Sequence, residues 1–568
     1  MNASERAQLA GWPQKINIPE IRERFGSPAW IVSEQQIAKN VAGFAAFTED
    51  ISRICYPVKT NPSLTVLQLL AKLGTGADCA SQLEINLALF AGIKMENISY
   101  NSPAQDIGIC KFLLQAGATV VMDDPDAIAE LQQVLPASDV RGKLYLRINL
   151  PDSIGYSNAN DHQELMAHGH KSSKFGIPAE ELEAVFQQMS LPVSGLHVHV
   201  GTQMDNMQSF ESAIQNLNSL AREWNSKGQK ISGINVGGGL GIPFAHDQEF
   251  PSLEYWSRSM AALKDPGFLY SVEPGHALVG NAVALLTSVL TIKNSRGKKW
   301  AIADVGTDQL TKVTLLKWPH RILSESGEEL PKGSDAVAGP LCFAGDTLAD
   351  NIDAGNLKKG SPLLITEAGA YTFSLSNKFN GRTAPRWLLL KPDGELIQTM
   401  EKESLYDELH HVRYEWNVPE AHESAFGLLK EQAMNLSSSY LRESSKEDAF
   451  AYESIKIESR DSYRFAVYTT SVVDFISMPF VIRIMGDATI ISLLHRGGYE
   501  KKDFSVWGRK VMMDCFDQVK SNGIMEFTIS LSEMVQKEDS TVLVSRFRTS
   551  CGKCAGSFVI SFENGFVK

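Results

Sequence analysis

The chain is short of cysteine. Seven in 568 residues are too few for the disulfide framework on which small secreted domains rely. No uninterrupted apolar run reaches the roughly 20 residues that span a bilayer, so a membrane protein is not expected. The opening Met-Asn-Ala-Ser-Glu-Arg has no apolar core of the kind that directs secretion. Positive charge is in deficit. Lys and Arg number 54 against 66 Asp and Glu, a formal charge of −12, which is the wrong sign for gripping a nucleic-acid backbone. The chain carries no internal repeat and no low-complexity block. A cytoplasmic enzyme with a small-molecule substrate, and with no nucleic-acid or membrane partner, fits these absences.

What is present is a globular composition, 43% hydrophobic and 21% charged, over a length that suits roughly three or four domains. From 45 to 284, strand-like runs (52–58, 119–122, 143–149, 193–200, 231–236, 268–272) alternate with segments of helical spacing such as 63–73 and 83–91. That alternation predicts parallel βα units, in a number that suits a closed (β/α)8 barrel. From 285 to 412, short β-type runs between Gly, Pro and Asp turns predict an antiparallel domain. Residues 1–44 contain one plausible strand, Ala29-Trp30-Ile31-Val32. Residues 413–568 form an α+β extension with β-like runs at 464–469, 480–484 and 489–494, a helix-like 504–520, and a final pair at 541–547 and 556–562. Its Cys551-Gly-Lys-Cys554 reads as a hairpin turn. A zinc site needs four ligands, and no second pair accompanies it, so no metal is expected.

Lys59 is the most informative residue. It ends the run Ile54-Cys-Tyr-Pro-Val-Lys59, and Asn61-Pro62 then looks like a helix cap and its first residue. Strand alternation puts Cys55, Pro57 and Lys59 on one face. A lysine at the C-terminal end of a barrel strand stands where such barrels do chemistry. Desolvation there lowers the pKa of an amine and favours the neutral form that makes Schiff bases. Further signals lie at other strand ends: His197 and His199 in Gly-Leu-His-Val-His-Val-Gly-Thr202, Gly237-Gly238-Gly239, Glu273-Pro-Gly-His276, Cys342 in Gly339-Pro-Leu-Cys-Phe-Ala-Gly-Asp346, and Tyr371 in Glu367-Ala-Gly-Ala-Tyr. Singly, each has an ordinary structural explanation as core, turn or cap.

As an ordered set these stretches, with 78–84, 173–176 and 379–381, resemble the fold-type III pyridoxal-phosphate decarboxylases, the group of diaminopimelate, ornithine and arginine decarboxylases. The resemblance covers about 25–412. It implies a cofactor-binding barrel at 45–284, a β-barrel-like domain at 285–412 to which 1–44 contributes, and a homodimer with shared active sites. It leaves 413–568 without a role. It further implies that Lys59 holds pyridoxal 5'-phosphate as a Schiff base and that His199 stacks on its ring. Thr202, Gly237, Gly238, Gly239 and Tyr371 would hold its phosphate. Glu273 would keep its ring nitrogen protonated, a charge-assisted bond of about 1.5–3 kcal/mol that makes the ring a strong electron sink for decarboxylation. Cys342 would come from the partner subunit to reprotonate the α-carbon. Asp78, Glu84 and Arg147 would support the site, and Lys174 and Asp346 would pair across the dimer.

Three departures from the family pattern concern the substrate. The arginine usual after Glu-Pro-Gly is His276, which would weaken a phosphate contact. The acid usual after the cysteine is Phe343. In 304–322, lysines stand at about the positions of two family recognition residues, Lys312 for an arginine and Lys317 for an aspartate. A cationic substrate tail would meet repulsion there, so an anionic distal group is expected. Similar departures occur in decarboxylases of siderophore and other specialised pathways. Diaminopimelate decarboxylase, a racemase or epimerase of the same fold, and a non-catalytic regulatory homologue are the competing expectations.

Overall fold

The computed structural model describes residues 11–150, 173–245, 248–403, 449–459, 461–470, 478–496, 507–515, 523–536, 540–550 and 554–563. The chain divides into two compact units, Met1–Glu403 and Ser404–Lys568.

In the first unit the predicted βα alternation folds as a parallel barrel. Its eight strands are Cys55–Pro57, Gly76–Cys79, Ile98–Asn101, Thr119–Met122, Lys143–Asn149, Val193–His197, Gly233–Asn235 and Leu269–Ser271, each paired in parallel with the next. A parallel bridge between Ile54 and Val272 closes the ring. The helices between strands follow local rules. Ser81, Asp106 and Ser252 cap helix N-termini through their side chains, and Gly74, Gly92 and Gly117 end helices in the left-handed region that glycine enters without steric cost.

The second sheet of this unit is mixed, where an antiparallel domain was expected. Ala29–Ser33 lies between Val283–Ser295, antiparallel, and Arg386–Leu390, parallel. Lys298–Ala303 also pairs in parallel with Lys332–Ala338. The N-terminal strand is therefore central, and its Trp30 stacks on Trp387 at 5.5 Å.

Lys59 does not sit on a strand. The first barrel strand stops at Pro57, and Val58–Thr60 is a single 3-10 turn, so strand alternation does not set the lysine's direction. Nor is Asn61 a helix cap. The helix is Leu64–Leu73 with Ser63 before it, and the buried Asn61 donates to Gly369 O at 2.9 Å. This ties the end of the first strand to the loop carrying Tyr371.

Among the described residues, the second unit is a six-stranded antiparallel sheet with one helix, Met478–Arg496, packed on it. Two expectations reverse here. Residues 480–484 and 489–494, read as β, belong to that one helix. The helix-like 504–520 contains the strand Trp507–Cys515. The helix buries Val481, Ile484, Met485, Ala488, Ile490, Ile491, Leu493 and Leu494. An all-round apolar helix has no 3.6-residue rhythm, and its β-branched residues imitate a strand. Pairing with Cys554–Glu563 decides Trp507–Cys515, an override of local pattern by tertiary context. Cys554 opens the last strand; Cys551 lies outside the described residues. Among the described residues no helix is long and apolar enough to cross a membrane.

The barrel interior is packed tightly enough to be tested. A Cβ on Gly195 would lie 2.4 Å from the Tyr145 ring, and one on Gly233 would lie 1.8 Å from its hydroxyl. Gly195→Ala should destabilise the protein by about 1–3 kcal/mol, the usual range for overpacking, read as a lowered denaturation midpoint. An unchanged midpoint would mean that Tyr145 can vacate this space.

Candidate active site

A cavity of about 360 Å³ opens at the C-terminal ends of the barrel strands, lined by Lys59, Arg147, His199, Thr202, Gly239, Glu273, Gly275 and His276 from the barrel side and by Leu316, Trp318, Tyr371 and Leu375 from the second sheet's segments. The structure thus brings Lys59, Arg147, His199, Thr202, Gly239, Glu273, His276 and Tyr371, all singled out from the sequence, to one cavity.

Lys59 reaches into this space with 44% of its side chain accessible, and its Nζ donates to Asp78 Oδ2 at 2.5 Å. Burial acts to lower the amine's pKa, as expected, but Asp78, Tyr371 and Glu273 outweigh it and the pKa is raised. These neighbours favour the ammonium over the expected neutral amine. Its partner Asp78 is fully buried with Oδ1 unbonded, and burial together with the Glu273 charge pushes the Asp78 carboxyl up.

Glu273 is 4% exposed. It accepts from Asn235 Nδ2 at 2.7 Å and meets His197 Nε2 at 3.1 Å. Burial opposes its charge, but His197, Lys59 and Asn235 outweigh burial and hold the carboxyl below its ordinary range. Asn235 escaped the sequence reading. His197 was seen there only as a strand neighbour of His199. The two histidines diverge. His197 is fully buried against Glu273, whereas His199 lines the cavity and accepts at Nδ1 from Gly238 N at 3.0 Å, which leaves its proton on Nε2.

The three glycines are required sterically. A Cβ would fall 2.2 Å from Val198 O at Gly237, 2.0 Å from Glu273 O at Gly238 and 2.6 Å from Gly201 O at Gly239. Gly239, Thr202, Gly275, His276 and Tyr371 line one cavity together. A Cβ on Gly275 would lie 3.1 Å from the Tyr371 hydroxyl and 2.8 Å from Thr60 Oγ1, an atom left without a partner. An amine, a buried anionic acid, an imidazole and a glycine-lined hydroxyl cradle are the donor set that pyridoxal phosphate needs. His276 is the weak member. Burial, then the Lys312 charge, push its pKa well below the usual imidazole value, so it brings no positive charge.

Other expected residues lie elsewhere. Lys312 is fully buried behind the wall and donates to Ala370 O at 2.9 Å, so it does not reach a substrate tail. Lys317 is exposed at φ 56° between the lining residues Leu316 and Trp318. Cys342 and Phe343 are exposed and outside the chain's own cavity. Asp346, expected to pair with Lys174 across the dimer, is 4% exposed and accepts within its own chain from Thr307 N at 2.7 Å, Thr307 Oγ1 at 3.0 Å and Leu341 N at 2.8 Å, so it anchors the Cys342 loop. Lys174 lies 5.1 Å from the centre of the Phe175 ring. Arg147 stacks on that ring at 4.4 Å and lines the cavity. Glu84 accepts from Ala80 N at 2.7 Å while Ser81 caps Glu84 N, a reciprocal cap that shapes the wall at Ala80.

Residues 34–280 match the family model described as "Pyridoxal-dependent decarboxylase, pyridoxal binding domain". The diaminopimelate decarboxylase of Methanothermobacter thermautotrophicus is 30% identical over 404 residues, 68% of this chain and 92% of that protein. The diaminopimelate decarboxylase of Pseudomonas aeruginosa is 29% identical over 402 residues, 70% of this chain and 94% of that protein. Among solved structures, diaminopimelate decarboxylase from Helicobacter pylori complexed with L-lysine superposes with a TM-score of 0.63 at 25% identity, covering 69% of this chain and 98% of that one. With the lysine, the buried acid and the glycine cradle in one barrel mouth, this places the chain among the fold-type III pyridoxal-phosphate-dependent amino-acid decarboxylases, and it is a carboxy-lyase of that family.

Proposed function

We propose that the substrate is an α-amino acid whose distal end is anionic, and that Lys59 is the lysine to which the cofactor attaches. The observation that carries the reading is the meeting of Lys59 and Glu273 in one cavity where, among the described residues, Arg147 is the only other lining cation and Glu273 the only lining carboxylate. When bound, pyridoxal phosphate supplies an aldehyde that condenses with amines and an electron-poor ring that accepts the electrons released as CO2 leaves.

The remaining roles belong to the chain. Lys59 must lose a proton to act as an amine, and Asp78 is the group hydrogen-bonded to its Nζ. Glu273, kept anionic by His197 and Asn235, would hold a proton on the ring nitrogen. His199, oriented by Gly238, would pack against the ring. Thr202, Gly237, Gly238, Gly239 and Tyr371 would hold the phosphate. The thiol of Cys342 of the partner subunit returns a proton to the α-carbon after CO2 departs. Two observations support a dimer. Cys342 has no access to its own cavity, and Leu315, Phe343, Leu375 and Phe379 leave apolar side chains 37–59% exposed, as interaction surfaces do.

The tail preference rests on charge. Glu273 is already engaged, so among the described residues the lining offers no further acid to a distal ammonium, whereas Arg147 lines the cavity and Lys317 stands at its edge. The similarity to diaminopimelate decarboxylases favours a second reading, diaminopimelate itself, whose far end carries both charges. The specialised-metabolite role stays within the first reading, since it too requires an unusual tail.

Lys59→Ala should abolish turnover and borohydride-stable attachment of the cofactor; retention of either would remove Lys59 from its role. Mixing inactive Lys59→Ala with Cys342→Ala should restore part of the activity through dimers with one intact site, and no recovery would argue against a shared site. Screening CO2 release across amino acids should rank anionic tails above ornithine and lysine. An exposed charge at 4 Å across water is worth about 1 kcal/mol, so Lys317→Glu should raise KM several-fold with little change in kcat. A wild-type preference for ornithine or lysine would refute the tail assignment and leave the decarboxylase intact.

A further inference from the structure

Lys312 is the one lysine among the described residues that is buried, at 0% exposure. Its Nζ lies 4.5 Å over the Phe244 ring and 6.0 Å from the Trp318 ring centre. It forms no ion pair. Glu367, the acid that acts on it electrostatically, is already held by Arg321 and Thr366. A buried cation without a counter-ion is costly, and burial pulls this ammonium down to about 7. The groups around it are otherwise neutral or cationic: His276, His320 and, beyond Glu367, Arg321.

On the cavity side of the same cluster stands His276. Its ring lies 5.5 Å from Trp318, 6.0 Å from Phe244 and 4.9 Å from Tyr371. It is 3% exposed and its Nε2 has no partner. The lining cations are committed elsewhere, Lys59 to Asp78 and Arg147 to Phe175 and Asn101. The wall formed by Gly239, Gly275, His276 and Tyr371 therefore lacks a formal charge of its own, and the buried Lys312 amine packs on the same Phe244 and Trp318 rings as His276.

We propose that Lys312 is the counter-charge for the cofactor's phosphate, acting through the wall in place of a cation at position 276. The proposal rests on the reading that the phosphate docks at the Gly239–Gly275 side. Lys312 is a positioning residue here, since it touches neither cofactor nor substrate. At a separation of roughly 7–12 Å and an effective dielectric of about 20, a unit charge should change affinity for an anion by roughly 10- to 50-fold.

The test is titration of the cofactor-free full-length protein with pyridoxal 5'-phosphate and, separately, with pyridoxal, which lacks the phosphate. Lys312→Met should raise the Kd for pyridoxal phosphate about tenfold or more and leave that for pyridoxal unchanged. Lys312→Gln keeps a donor for the Ala370 carbonyl without the charge, and carries the test should the methionine variant not fold. Adding His276→Arg to either variant should recover affinity for the phosphate form, which a merely structural lysine would not allow. Thr202→Val tests the docking reading independently. If it lowers the preference for the phosphate form while neither Lys312 variant does, the counter-charge proposal is wrong and the docking stands. If Lys312 variants weaken both ligands equally, the lysine is structural. If no variant changes the preference, the phosphate docks elsewhere and both readings fall.

Discussion

Two backbone hydrogen bonds close the barrel, Val272 N to Arg53 O at 3.0 Å and Cys55 N to Val272 O at 2.8 Å, and the site depends on them. They lay the last strand against the first. The turn after one carries Glu273 and the turn after the other carries Lys59, so closure alone brings the acid and the amine to one cavity. The same seam holds the second sheet's loop in place, since Tyr371 N donates to Thr60 O at 2.8 Å and Asn61 donates to Gly369 O at 2.9 Å. An open sheet with the same strands would leave these groups on opposite edges.

Once together, the ionisable groups govern one another. Asp78 and Glu273 are both buried acids, and both raise the pKa of Lys59. Asp78 answers with a direct ion pair, and Glu273 turns instead to His197 and Asn235. The two acids thus have different fates in one cavity, one pushed up and one held down. Neighbours that bond the charged form decide the difference, because both sites are buried. Histidine divides in the same way: His199 faces the cavity, His197 supports the acid, and His276 is a neutral ring in an aromatic cluster.

The sequence errors have particular causes. The apolar helix Met478–Arg496 carries no helical rhythm, so its segments read as strands. Lys312 looked like a substrate contact because charged side chains are normally solvated. Its burial depends on Phe244 arriving from a distant segment to cage it together with the nearby Trp318.

By itself the sequence determined the parallel barrel, because strand and helix periods alternate visibly. It also determined the chemical inventory of the site, because an amine, an acid, two imidazoles and a triple glycine fall at strand ends in a fixed order. It could not determine protonation or reach. Whether Lys59 is an ammonium, whether Glu273 is an anion and whether Lys312 meets the cavity all depend on distances between segments far apart in the chain. Electrostatic energy varies with those distances and with the water excluded between them, and only the closed tertiary structure sets either quantity.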